Sequence, residues 1–322
     1  MFIRPIVKTM LNRVPGVHQL LLRRQGGDTG SALYCYGVWL KHLTFLSRNG
    51  MQSLPNGLAE LGPGASLGTG LAAMLCGVNK YHALDAVSYA NPQLNLKILD
   101  ELAALLAKRE PRPTRGWPCF DEYLGPALFP HHVLTDELLA RALAPDRIAR
   151  IRTALRTGAD CEEISIRYVA PWSSTELDKP DIGLVLSHSV LQYVPDLDQA
   201  YGTLSSWLAP GAMMSHQIDF GSMGFSDKWN GYRAYPEPLW RLISGSASHV
   251  INRQPVSVHL RLLGMHGMEV VDAQKKYSAD GIGRSSLAPA WRGMSDDDLS
   301  CSGAFIQARK SGHGAPCALA AG

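Results

Sequence analysis

The sequence predicts an α/β fold, a seven-stranded and mostly parallel sheet with helices on both faces, and three features predict it. The short run Leu58-Ala59-Glu60-Leu61 leads directly into Gly62-Pro63-Gly64-Ala65-Ser66. A strand meeting a glycine-rich turn and then a helix is the first βα unit of a Rossmann-like nucleotide-binding fold. About 20 residues past that turn, a second short strand ends in Asp85, where an acid binds ribose hydroxyls in such folds. Residues 181–186 form a continuous apolar run after Asp181, as expected of a strand buried on both faces.

The remaining elements follow in order. Asn91-Pro92 reads as an N-cap followed by proline at the first helical position, and Leu94, Ile98, Leu99, Leu102, Leu105 and Leu106 form that helix's apolar stripe. Helices are expected over 135–143 and 146–156, separated by Pro145 and closed by Gly158. The stretch between the second and third strands, about 91–160, is therefore a helical insertion far longer than the usual αβ loop of about 2–6 residues. Alternation over 164–169 predicts the third strand. Asp196 caps a helix expected to end at Pro210-Gly211. Further strands are expected over 212–218, from 268 and over 303–308, with a helix over 256–263 and a helix start or solvated turn at Asp296-Asp297-Asp298.

Composition narrows the function classes. The chain has 322 residues, of which 46% are hydrophobic and 18% charged, with a net charge of +3. That charge is too small to make nucleic acid the main partner. No apolar run approaches the roughly 20 residues that cross a bilayer. Six scattered cysteines without a CxxC pair read as reduced thiols of a cytoplasmic protein. The domain plan is an N-terminal helical extension over 1–50, one α/β domain over 51–310 and a flexible tail over 311–322. The first 27 residues are basic and amphipathic. They suit an accessory helix, a peripheral contact with an anionic inner-membrane surface, or an organelle transit segment.

Four segments in order resemble the motifs of class I S-adenosylmethionine-dependent methyltransferases. They are Glu60-Leu61-Gly62-Pro63-Gly64, the acid Asp85, the strand running from Asp181 through Ser187-His188 to Asp196, and Trp207-Leu208-Ala209-Pro210-Gly211. The resemblance spans residues 58–220 and implies S-adenosylmethionine as cofactor. It places Glu60 toward the cofactor's ammonium and Gly62, Pro63, Gly64 and Ser66 at its methionyl and ribose portions. Asp85 and Ala86 fall at the ribose, Ala170-Pro171-Trp172 at the adenine, and Ser187 and His188 near the sulfonium. Two departures stand out. Ser66 replaces a frequent third glycine, with Gly68 and Gly70 following, and Ala170 replaces a frequent acid.

Methyl transfer depends chiefly on alignment, and a hydroxyl acceptor benefits from a base. His188 is the first candidate base, followed by His216 and Asp219; each also has a purely structural reading. Trp229, Asn230, Tyr232 and Arg233, in an irregular stretch over 221–253, suit either a sugar-like acceptor or an ordinary packed loop. The stretch 111–130 is expected to form a second cover. No spacing among His131, His132, His188, His216 and Asp219 supports a metal site. The leading expectation is O-methylation of a small-molecule or saccharide acceptor, in keeping with a resemblance to enzymes of bacterial polysaccharide and secondary-metabolite pathways. An N- or C-methyltransferase, an inactive cofactor-binding partner subunit and a nicotinamide oxidoreductase are the alternatives. The absence of a Tyr-x-x-x-Lys pair speaks against the last.

Overall fold

The computed structural model describes residues 27–114, 121–172, 182–245 and 250–312. The basic segment to residue 26, the tail from 313, and Asp181 lie outside the described residues.

Seven strands form one sheet: β1 (Gly57–Leu61), β2 (Lys80–Leu84), β3 (Ser165–Val169), β4 (Ile182–His188), β5 (Leu208–Asp219), β6 (Met268–Tyr277) and β7 (Cys301–Lys310). Their order is β3-β2-β1-β4-β5-β7-β6. The first five run parallel, and β7 is antiparallel to both of its neighbours. The expected Rossmann-like, mostly parallel sheet is present. Its strand order reverses between β1 and β4, and ligands of such sheets bind outside the carboxyl ends of the strands at that reversal.

The helices are α1 (Ala32–Arg48), α2 (Gly68–Met74), α3 (Pro92–Ala107), α4 (Asp121–Leu124), α5 (Asp136–Ala142), α6 (Pro145–Thr157), α7 (Leu197–Trp207), α8 (Glu237–Ser244), α9 (Val256–Met265) and α10 (Asp296–Ser300). Strand alternation separates two cores. Leu58, Leu184 and Leu186 pack with α1, α2 and α3, whereas Ala59, Leu61 and Val185 pack with α7 and α9. Among the described residues, no helix is long and apolar enough to cross a membrane.

Local signals set most boundaries. The Asn91 side chain accepts from the Leu94 N–H with Pro92 opening α3, and Asp196 accepts from the Gln199 N–H to open α7. Gly158 closes α6 with a left-handed φ of 67°. The expected helix end at Pro210-Gly211 is not observed. Instead α7 stops at Trp207, and β5 begins at Leu208, which pairs with Ile182 across a register shift. Pro210-Gly211 still turns, as a bulge within β5: Gly211 holds φ 84°, and the step from Leu208 to Met213 lies opposite the shorter step from Ile182 to Leu184.

The boundary expected near residue 50 does not separate an appendage from a domain. In α1, Tyr36, Trp39, Leu40, Leu43 and Leu46 are wholly buried in the core shared with α2 and α3. The Trp39 indole N–H meets Cys76 Sγ at 3.3 Å. Trp39→Ala is therefore expected to lower the unfolding free energy by about 3–5 kcal/mol. A urea melt losing less than about 1 kcal/mol would return α1 to the status of a dispensable cover.

Candidate active site

The carboxyl ends of β1, β2 and β3 are fastened to one another. Gly62 and Gly64 hold φ values of 72° and 78°, the left-handed region that favours glycine. The Gly62 N–H donates to the Leu84 carbonyl at 2.7 Å, and the Trp172 N–H donates to the Asp85 carbonyl at 3.0 Å. The Asp85 carboxylate accepts from the Gly64 N–H at 3.2 Å and from the Ala86 N–H at 2.8 Å. Burial raises its pKa. A Cβ on Gly62 would lie 2.4 Å from Val190 Cγ2. The position must be bare to admit the loop after β4. Trp172 stands edge-on to Trp207, with ring centres 6.1 Å apart.

Two of the residues expected to bind the cofactor turn inward. Glu60 is 3% exposed and accepts from the Tyr81 hydroxyl, and burial pushes its carboxyl up to about 7. A Cβ on Gly70 would fall 2.0 Å from the Tyr81 ring. A glycine is needed at Gly70, where Tyr81 crosses α2 to reach Glu60. Ser66 is buried; its hydroxyl donates to the Thr29 carbonyl and accepts from the Gly68 N–H. The Thr29 hydroxyl in turn accepts from the Ala65 N–H at 2.9 Å, so the segment before α1 lies over the turn.

Strand alternation divides the catalytic candidates between opposite faces. Ser187 and His216 share one face, with Ser187 Oγ 2.9 Å from His216 Nδ1. His216 is wholly buried beside the Tyr201 ring, and burial lowers its pKa to about 3. It is a core residue, contrary to its nomination as a base, and Ser187 is its partner there instead of a group facing a ligand. Asp219 is also buried and accepts from the Gly221 N–H at 2.7 Å, anchoring the loop that follows β5.

His188 lies on the other face, half-buried at the end of β4. Its Nδ1 is 3.2 Å from His42 Nε2, and the Tyr34 ring stands edge-on at 6.3 Å. Burial, with Lys41 adding to it, lowers its pKa to about 3, so the ring is neutral at ordinary pH.

The loop after β5 folds largely inward. The Tyr232 hydroxyl donates to the Phe220 carbonyl at 2.9 Å, and the Asn230 side chain pairs with the backbone of Ile282. Tyr232 joins Phe225, Tyr235, Trp240, Ile243 and Ile251 in a small core of its own. Tyr232 and Asn230 are therefore supports, not an open acceptor face. Arg233 is wholly buried, with its guanidinium 5.0 Å from the Tyr232 ring centre. Its Nη1 and Nη2 have no hydrogen-bond partner among the described residues, nor have Trp229 Nε1 and Gln217 Nε2.

Among the described residues, no three His, Cys, Asp or Glu side chains are grouped to hold a metal. His132 instead meets Ser47 at 3.2 Å. Sequence reasoning missed Thr29, Tyr34 and His42, all in the segment read as an extension. The available signal was His42 itself, a polar residue within the apolar run of α1.

No family model matches the chain, and no curated protein is similar to it in sequence. Several solved structures are similar to it. Phosphoethanolamine N-methyltransferase 2 of Haemonchus contortus, solved with S-adenosyl-L-methionine, is 12% identical with a TM-score of 0.40, the match covering 85% of this chain and 53% of that one. Geranyl diphosphate C-methyltransferase of Streptomyces coelicolor A3(2) is 12% identical with a TM-score of 0.41, over 84% of this chain and 77% of that one. An S-adenosylmethionine-dependent methyltransferase of Mesorhizobium loti is 14% identical with a TM-score of 0.39, over 81% and 94% respectively.

Proposed function

We propose that this chain is an S-adenosylmethionine-dependent methyltransferase acting on a hydroxyl of a small-molecule or saccharide acceptor. The observation that carries the reading is the junction of Gly62-Pro63-Gly64 with Asp85 at the point where the strand order reverses. The fit to the cofactor rests on Asp85. A carboxylate offers about four lone-pair directions, and the Gly64, Ala86 and Val87 amides engage it. What remains suits a ribose hydroxyl, and backbone amides fix the carboxylate before any ligand arrives.

When bound, S-adenosylmethionine supplies an electrophilic methyl group on a sulfonium. The chain's own part is alignment. Gly62 and Gly64 hold the turn close, Asp85 takes the ribose, and Trp172 borders the base. His188 reaches toward the acceptor from the end of β4. The unpartnered donors of Arg233, Trp229 and Gln217 at the end of β5 and in its loop favour an oxygen-rich acceptor.

Calorimetric titration with S-adenosylhomocysteine tests the reading. Asp85→Ala is expected to weaken binding by about 1.5–3 kcal/mol, the scale of a hydrogen bond to a charged group. Asp85→Asn, which keeps the shape but loses acceptor capacity, is expected to fall between that variant and the parent. Unchanged affinity in both variants would remove Asp85 from the site, and no binding by the parent protein would remove the reading.

A further inference from the structure

A chain of hydrogen-bonded side chains, buried at its centre, runs from the sheet's far edge to His188. Asn49 Nδ2 donates to Asp272 Oδ2 and to Gln307 Oε1, each at 3.1 Å. Gln307 Nε2 donates to Ser215 Oγ at 3.0 Å. Ser215 Oγ lies 2.7 Å from His42 Nδ1, and His42 Nε2 lies 3.2 Å from His188 Nδ1. His42 and Ser215 are wholly buried, and Gln307 is 1% exposed.

Its first member sets the chain's direction. A carboxylate only accepts, so the Asn49 atom facing Asp272 is the amide nitrogen. That nitrogen also faces Gln307, which must present its oxygen and hence turns its own nitrogen to Ser215. Ser215 accepts there and has one hydrogen left to give. Two tautomer assignments remain for the histidines. In the first, Ser215 donates to His42 Nδ1, His42 donates from Nε2 to His188 Nδ1, and every link is satisfied. In the second, both rings carry hydrogen on Nδ1, and the buried Ser215 hydrogen has no acceptor among the described residues. Leaving a buried donor unmade costs enough to favour the first assignment roughly tenfold or more.

We infer that His42 and Ser215 are positioning residues that hold His188 as its Nε2–H tautomer, so that His188 meets the acceptor as a hydrogen-bond donor and not as a base. Only the clause about the acceptor rests on the methyl-transfer reading; the tautomer does not. His188 Nε2, the ring nitrogen not facing His42, has no partner among the described residues and is the atom left for a ligand. A neutral donor there orients an oxygen by one of its lone pairs. The directional chain makes that role permanent across the pH range in which both rings stay neutral.

Long-range proton–nitrogen correlation spectra of the whole protein carrying ¹⁵N-histidine read each ring's tautomer without cofactor or acceptor. His188→Gln and His42→Gln spectra assign the two rings. The parent protein is expected to show both as Nε2–H. Ser215→Ala removes the donor to His42 Nδ1 and is expected to raise the Nδ1–H share of His188 at least several-fold. His42→Leu should do the same. His42→Gln offers an oxygen to Ser215 and an amide to His188, and should keep His188 as Nε2–H. The parent spectrum alone decides if the leucine variant fails to fold, because an Nδ1–H form of His188 there overturns the inference. Unchanged spectra in both Ser215→Ala and His42→Leu overturn it too. If titration shows no cofactor binding while the tautomers are as stated, the methyl-transfer reading fails and the relay stands.

Discussion

Lowering the pH from 7 to about 4.5 is expected to unfold this protein cooperatively. Burial lowers the pKa of His42, His188, His216 and His259, to about 3 for the last three. In the unfolded chain each takes up a proton near pH 6.5. Each therefore contributes stability that is present above pH 6.5 and is lost as pH falls toward the folded value. The slope is about 1.4 kcal/mol per pH unit for each proton bound only by the unfolded state. Glu60 opposes this, because its folded pKa of about 7 lies above the unfolded value of 4.5. It gains a proton in the native state first and adds stability as pH falls through that window.

His82, lowered by burial, and Asp85, raised by it, act in opposite senses. The four histidines against Glu60 therefore leave a net slope of about 4 kcal/mol per pH unit once the unfolded histidines are charged. Against a total stability of roughly 5–15 kcal/mol, about two to three units of pH suffice. Urea midpoints measured by circular dichroism from pH 8 to 5 would follow the slope directly. His259→Gln should lower the slope by about one histidine's share, about 1.4 kcal/mol per pH unit. A midpoint that stays level between pH 7 and 5 would mean that these rings are not held neutral.

Gly62→Val is expected to cost roughly 2–5 kcal/mol of stability and to disorganise the site with it. A β-branched residue at φ 72° is strained by about 1–3 kcal/mol, and the new Cβ would overlap Val190. Val190 follows Ser189 and His188, so relieving the overlap means moving the loop that carries the candidate donor. A double-mutant cycle separates the two costs. Gly62→Ala combined with Val190→Ala should recover the overlap share and leave the backbone strain. If Val190→Ala recovers nothing, Val190 is not what keeps the position bare.

Much of the fold was legible because its signals are local. The Asn91-Pro92 and Asp196 caps, the left-handed Gly158, the glycine turn after β1 and the acid ending β2 all act within a few residues of themselves. The structure places each where the sequence put it. The turn at Pro210-Gly211 is present, with Gly211 at φ 84°, but it lies within β5 and not at the end of α7. Its place was decided by the pairing of Leu208 with Ile182, in a strand some twenty residues away in sequence, which starts β5 before the turn.

The candidate site was only half legible. By itself the sequence determined that Gly62, Gly64, Asp85, His188 and His216 stand at strand ends of one parallel sheet, because apolar runs and turn residues mark those ends. The β4–β5 register, known only from the structure, put His188 and His216 on opposite faces. What the sequence also left open was which helices cover which face. The tertiary structure decided that α1 covers the face of His188, setting His42 against it across 146 residues of sequence. It likewise buried Glu60 under Tyr81 and turned Tyr232 into a small core of its own. A residue's own neighbours dictate its helix or strand. Whether its polar atoms meet a ligand or the protein depends on the segment packed over them, and here that segment was the one read as an extension.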